Sequence, residues 1–111
     1  MSLERRRQRS DKPDEALELM LEACRAKSGA RALVISDERG RLVASAGADR
    51  IDAERIAAAM PSPLRPTQRA RLRAMSFRAG PGRVFVGVVG IADYATPMTE
   101  ALRGARRILG V

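Results

Sequence analysis

Leu17, Met20, Leu21 and Cys24 stand at the i, i+3, i+4, i+7 spacing of one helical face. Polar residues mark the ends of that helix. Pro13 suits a first turn, Asp14, Glu15 and Glu18 complement the positive end of the dipole, and Gly29 is a C-terminal stop. The spacing predicts a helix from near Asp11–Pro13 to Gly29. Residues 1–10 are basic and without periodicity, and read as a disordered tail. Beyond Gly29 the pattern shortens. "ALVIS" (Ala32–Ser36) and "LVASA" (Leu42–Ala46) are apolar on successive residues and separated by the turn Asp37-Glu38-Arg39-Gly40. Such runs predict a hairpin covered on both faces or central in its sheet.

A second helical segment begins at Ile51. Asp52 as N-cap would put Ile51 and Ile56 at the spacing of a hydrophobic staple, and Pro61 and Pro63 stop the helix after about Met60. Residues 61–68, "PSPLRPTQ", form a connector held extended by three prolines. Arg71–Arg78 and Arg83–Ile91 then flank the turn Gly80-Pro81-Gly82. The latter strand reads as buried and central, the arginine-bearing former as an edge. Thr96 is the expected cap of a last helix with Pro97 in its first position. Its buried stripe is Met98, Ala101, Leu102, Ala105, Ile108 and Leu109, with Arg103, Arg106 and Arg107 off the stripe. The order α-β-β-α-β-β-α predicts an α+β fold in which helices sandwich an antiparallel sheet, one domain over residues 11–111.

Composition narrows the chemistry. There is no histidine, and Cys24 is the single cysteine, so the commonest general base is missing and neither an internal disulfide nor a zinc site is expected. No apolar run reaches the roughly 18 residues of a membrane span. No apolar segment follows the basic start, so a cytoplasmic protein is expected. Charge is uneven. From Arg55 to Ala92 there are seven arginines and no acid, within a net charge of +8.

Each candidate site has a plainer alternative. Asp37 and Glu38 could hold a cation or act as an acid/base pair, but turns favour Asp and no third ligand is near, so a solvated turn is preferred. "GPGR" and "VGVVGI" match neither a phosphate-binding loop nor a dinucleotide fingerprint. Gly80 and Gly82 read as turn glycines, Gly87 and Gly90 as marks of close packing or a bulge. Ser36, Ser45 and Ser76 lack a histidine partner, and Cys24 falls on an apolar stripe. No catalytic residue, cofactor or metal is expected. The arginine-bearing strand carries the strongest signal, either a guarded edge or a surface for an acidic protein partner. Nucleic acid is disfavoured, because Phe77 alone offers a stacking ring there.

The stretch "LVISDERGRLVASAG" resembles the first hairpin of roadblock/dynein light chain proteins. "IDAERIAAAM" is similar to their second helix, and "VFVGVVG" with "MTEALRGARRILG" to their last strand and C-terminal helix. The resemblance covers about residues 13–110. It implies a roadblock/profilin-like fold, α-β-β-α-β-β(-β)-α, and a non-enzymatic regulatory or scaffold module acting in signalling. Family members form homodimers or heterodimers through the second helix and third strand, and many bind Ras-like small GTPases. Carried over, the dimer surface would be Ile56, Ala57 and Met60 with Leu72, Ala74 and Met75. Arg71, Arg73 and Arg78 would face a small GTPase or another acidic protein. The first hairpin also resembles that of GAF-like sensor domains, which implies small-ligand binding as an alternative. A basic nucleic-acid accessory protein is a third.

Overall fold

A computed structural model describes residues 2–61, 72–91 and 93–111, with side-chain surroundings from Pro13 onward. Among these residues the elements are α1 (Ser2–Ser28), β1 (Ala32–Asp37), β2 (Leu42–Ala46), α2 (Arg50–Ala59), β3 (Leu72–Ala79), β4 (Gly82–Val89) and α3 (Ala95–Leu109). The strands make one antiparallel sheet in the order β2-β1-β4-β3. A fifth strand, if it lies between α2 and β3, would fall in residues 62–71, outside the described residues.

Of the runs of successive apolar residues, those of β1 and β4 become the two central strands, whereas β2 lies at the sheet edge with α1 and α2 against it. Ala32 to Ser36 are all buried because β1 lies between β2 and β4 and has helices on both of its faces. On one face α1 and α3 pack on the sheet and on each other, burying Leu17, Leu21, Leu33, Ile35, Val86, Val88 and Met98. Each such aliphatic side chain stabilises the fold by roughly 1.5–3 kcal/mol. Gly104 lets the two helices approach, since a Cβ there would lie 2.7 Å from Met20 Cγ. On the other face α2 covers β1 and β2, burying Val34, Ala53, Ala57, Met60 and Leu72. A Cβ on Gly87 would lie 2.5 Å from Met60 Sδ and 3.0 Å from Leu72 Cδ1, so the missing side chain makes room for both.

Three helix starts depart from the sequence reading. α1 begins at Ser2, with Pro13 inside it, where a basic disordered tail was expected over residues 1–10. Leu, Glu, Arg and Gln are good helix formers, so this segment needs no apolar stripe to continue a helix. The cap of α2 is Asp49, not Asp52: its carboxylate accepts from Asp52 N–H at 2.8 Å. Ala48 and Ala53 then hold the staple positions, both in the α2-side cluster, and Ile51 is left 69% exposed. Tyr94 precedes α3 in place of Thr96, and its carbonyl accepts from Met98 N–H at 2.9 Å with no side-chain cap.

Candidate functional site: the β3 edge and the helices beside it

β3 is an edge strand, so one side of its backbone has no partner strand among the described residues. Alternation divides its side chains between the two faces. Leu72 and Ala74 join the α2-side cluster, whereas Phe77 and Ala79 join the α1/α3 cluster. Arg73 and Met75 share the α1/α3 face with Phe77. Arg73 lies over the Tyr94 ring at 5.4 Å, and Met75 borders a cleft against α3. Ser76 and Arg78 fall on the α2 side, where Arg83 Nη1 donates to Ser76 Oγ at 3.1 Å.

This geometry sorts the residues assigned to a dimer surface. Ile56, Ala57, Met60, Leu72 and Ala74 come together in the α2-side cluster. Ala57, Met60 and Leu72 are buried within the chain's own core, at 0%, 4% and 7% exposure. Ile56 and Ala74 are half-buried and keep accessible apolar surface. Met75, 51% exposed, stands on the opposite face, because adjacent residues of a strand cannot share one. Of the arginines assigned to a partner, Arg73 and Arg78 are both exposed but point to opposite faces, and Arg71 lies outside the described residues.

Sequence reasoning missed that Arg103, Arg106 and Arg107 of α3 gather beside Met75. Arg106 is held over the Phe77 ring at 5.9 Å. Their places off the apolar stripe were legible in the sequence, but the strand they would meet was set by topology.

The remaining candidates are structural. Asp37 closes the first hairpin: its Oδ1 accepts from the Arg39 and Arg41 N–H groups, each at 2.9 Å, and its Oδ2 from Arg41 Nε at 3.1 Å. Partial burial would raise its pKa. The backbone bonds from Arg41 and Arg39 and the Arg41 charge outweigh that and hold it below the ordinary carboxylate value. Gly40 in this turn has φ of 79°, and a Cβ there would lie 3.0 Å from Ala58 Cα, so the turn is fitted against α2. Burial pushes the Cys24 thiol up, Glu100 adds to this, and the group is a packed apolar side chain. Ser36 Oγ is buried with no hydrogen-bond partner among the described residues, so no base activates it. Among the described residues no three His, Cys, Asp or Glu side chains converge on a metal-sized site, and no helix is long and apolar enough to cross a membrane.

No protein-family model matches the sequence, and no curated protein matches it. Solved structures do. MglB of Myxococcus xanthus superposes with a TM-score of 0.59 at 14% identity, over 87% of this chain and 90% of that one. The Roadblock/LC7 domain from Streptomyces avermitilis superposes with a TM-score of 0.55 at 22% identity, over 82% of this chain and 96% of that one. The two central strands, the α1/α3 layer and the single helix across the other face thus build a chain with the roadblock/LC7 fold.

Proposed function

We propose that this protein is a non-enzymatic regulatory or scaffold module that forms a homodimer through α2 and β3 and binds an acidic protein partner. A Ras-like small GTPase is the partner class that the family resemblance implies. One observation carries the reading. The edge strand β3 contributes Leu72 and Ala74 to the cluster under α2 in a roadblock fold, and Ile56 and Ala74 keep apolar surface at that cluster. A second copy adding its own edge would extend the sheet and bury both residues. Arg73 favours such pairing, because its guanidinium lies against Tyr94 on the α1/α3 face and need not oppose its symmetry mate. The acidic partner is supported by the absence of any acid between Arg55 and Ala92.

Sedimentation equilibrium tests the dimer. In 500 mM NaCl, where contacts held by surface charge are screened, the wild type should have the mass of two chains, and Ile56→Asp that of one with its helical circular dichroism retained, since the charge would be buried only in the dimer seam. A monomeric wild type, or a folded Ile56→Asp dimer, at this salt concentration overturns the seam.

A further inference from the structure

The helical layer on the α1/α3 face presents two unlike surfaces, one toward each edge of the sheet. The first is the cleft between β3 and α3, of about 530 Å3, with Met75, Leu102 and Val111 as its apolar part and Arg103, Arg106 and Arg107 around them. Val111 reaches it because the chain turns back after α3, its N–H donating to the Arg106 carbonyl at 2.9 Å. Met75 and Val111 are 51% and 47% exposed. Among the described residues no acid lines this cleft and none of its arginines is in an ion pair.

The second surface is the outer face of α1. Glu15, Glu18, Leu19 and Glu22 follow the i, i+3, i+4, i+7 spacing of one helical stripe, and all four are exposed. Leu19, at 74%, is the most exposed large apolar side chain among the described residues. Neighbouring carboxylates rim it, and among the described residues Glu22 alone of the three has an ion-pair partner, Arg25. An exposed leucine ringed by acids is the chemical complement of an apolar cleft ringed by arginines.

We propose that the occupant of the β3/α3 cleft is a second copy of this chain, which places Leu19 of α1 between Met75 and Leu102 and pairs Glu15 and Glu18 with Arg103 and Arg106. Both surfaces lie on the α1/α3 side of the sheet, so two copies stacked layer against layer about a twofold axis make the contact twice. The duplication matters because one helix in one cleft buries less than the roughly 1,000 Å2 that a specific interface needs. The lining of the cleft recurs along α3 from Thr99 to Val111, three turns of helix, which suits a helix laid alongside. A helical occupant with acids beside its apolar residue is what α1 supplies. Because α2 lies on the opposite face, this association does not depend on the α2/β3 seam.

The test is a charge exchange read by sedimentation velocity on the full chain. The wild type should show a self-association step that weakens at least about tenfold between 50 mM and 500 mM NaCl, where screening shortens the reach of these charges. Arg103→Glu with Arg106→Glu should abolish that step, and so should Glu15→Arg with Glu18→Arg, because each variant opposes like charges twice. An equimolar mixture of the two variants should restore it, since every contact is then attractive again. Met75→Ser should weaken the step without changing its salt slope. In Ile56→Asp the salt-sensitive step should persist, which separates this contact from the α2/β3 seam. Lack of a salt-sensitive step in the wild type overturns the proposal, as does its survival in either charge variant. Failure of the mixture to associate, with both variants folded by circular dichroism, also overturns it. If the arginine variant alone loses association, the cleft takes something other than α1.

Discussion

The two faces of the sheet are built from the same strands and covered very differently. Among the described residues the α1/α3 side gathers fourteen buried side chains into one cluster, including six Leu, Ile or Val from α1, β1 and β4 and one Phe. The α2 side gathers five, two of them alanines. Two helices that also pack on each other cover the first side, whereas one ten-residue helix lies over β1 and β2 on the second. The first face therefore carries most of the stability, and the second is thin enough for its margin at Ile56 and Ala74 to gain from a partner. Strength of cover and availability for binding trade against each other across one sheet.

Breaking each side in turn measures that difference. Leu33→Ala, at a fully buried position of the larger cluster, should cost about 3 kcal/mol within the 2–5 kcal/mol usual for such truncations. Met60→Ala, 4% exposed at the end of α2, should cost about 2 kcal/mol because the gap opens in the smaller of the two clusters. Urea unfolding of both variants reads the comparison directly. Equal losses, or a larger loss at Met60, would show that the α2 face is not the weaker one.

Smaller effects refine the picture. Asp49→Ala removes the acceptor of the Asp52 N–H at the start of α2 and should cost about 1 kcal/mol, without altering the α1/α3 layer. Hydrogen exchange should quicken in residues 50–54 and nowhere in α3, and an unchanged rate would assign the cap no role. The smallest expected effect concerns Asp37. Its pKa is depressed in the folded state, so its contribution is present above the unfolded value near 3.8 and is lost as pH falls through the lower folded value. Asp37→Asn should lower the melting temperature slightly at pH 7, where the contribution is present, and flatten its decline below about pH 4, so that wild type and variant converge in acid. A parallel acid limb in wild type and variant would show that the turn carboxylate is not linked to folding.

Much of this architecture was legible because its signals are local. Leu17, Leu21 and Cys24 announced the buried stripe of α1, and Met98, Ala101 and Ala105 that of α3. The successive apolar residues of β1 and β4 announced strands buried on both faces, and the arginines of β3 announced an edge. Helix starts were less legible because several residues near each start can cap. Asp49 and Asp52 are both good caps, and which one served depended on where the chain left β2 after Gly47. The candidate site was the least legible. Ala74 and Met75 are neighbours in sequence and were assigned to one surface, yet the pleat places them on opposite faces.

By itself, the sequence determined the order of the elements, the interior placement of β1 and β4, and the absence of histidine-based chemistry. Each of these follows from residue type and spacing within a few residues. Tertiary structure alone decided what lies across from what. It put Met75 beside Arg103 and Arg106, Met60 in the space left by Gly87, and Leu19 on the outside of α1 in the same layer as the arginine-lined cleft. Periodicity states which face of an element is apolar, whereas strand order and the side on which each helix crosses state which faces meet. That second kind of information lies between residues distant in the chain, where no local pattern records it.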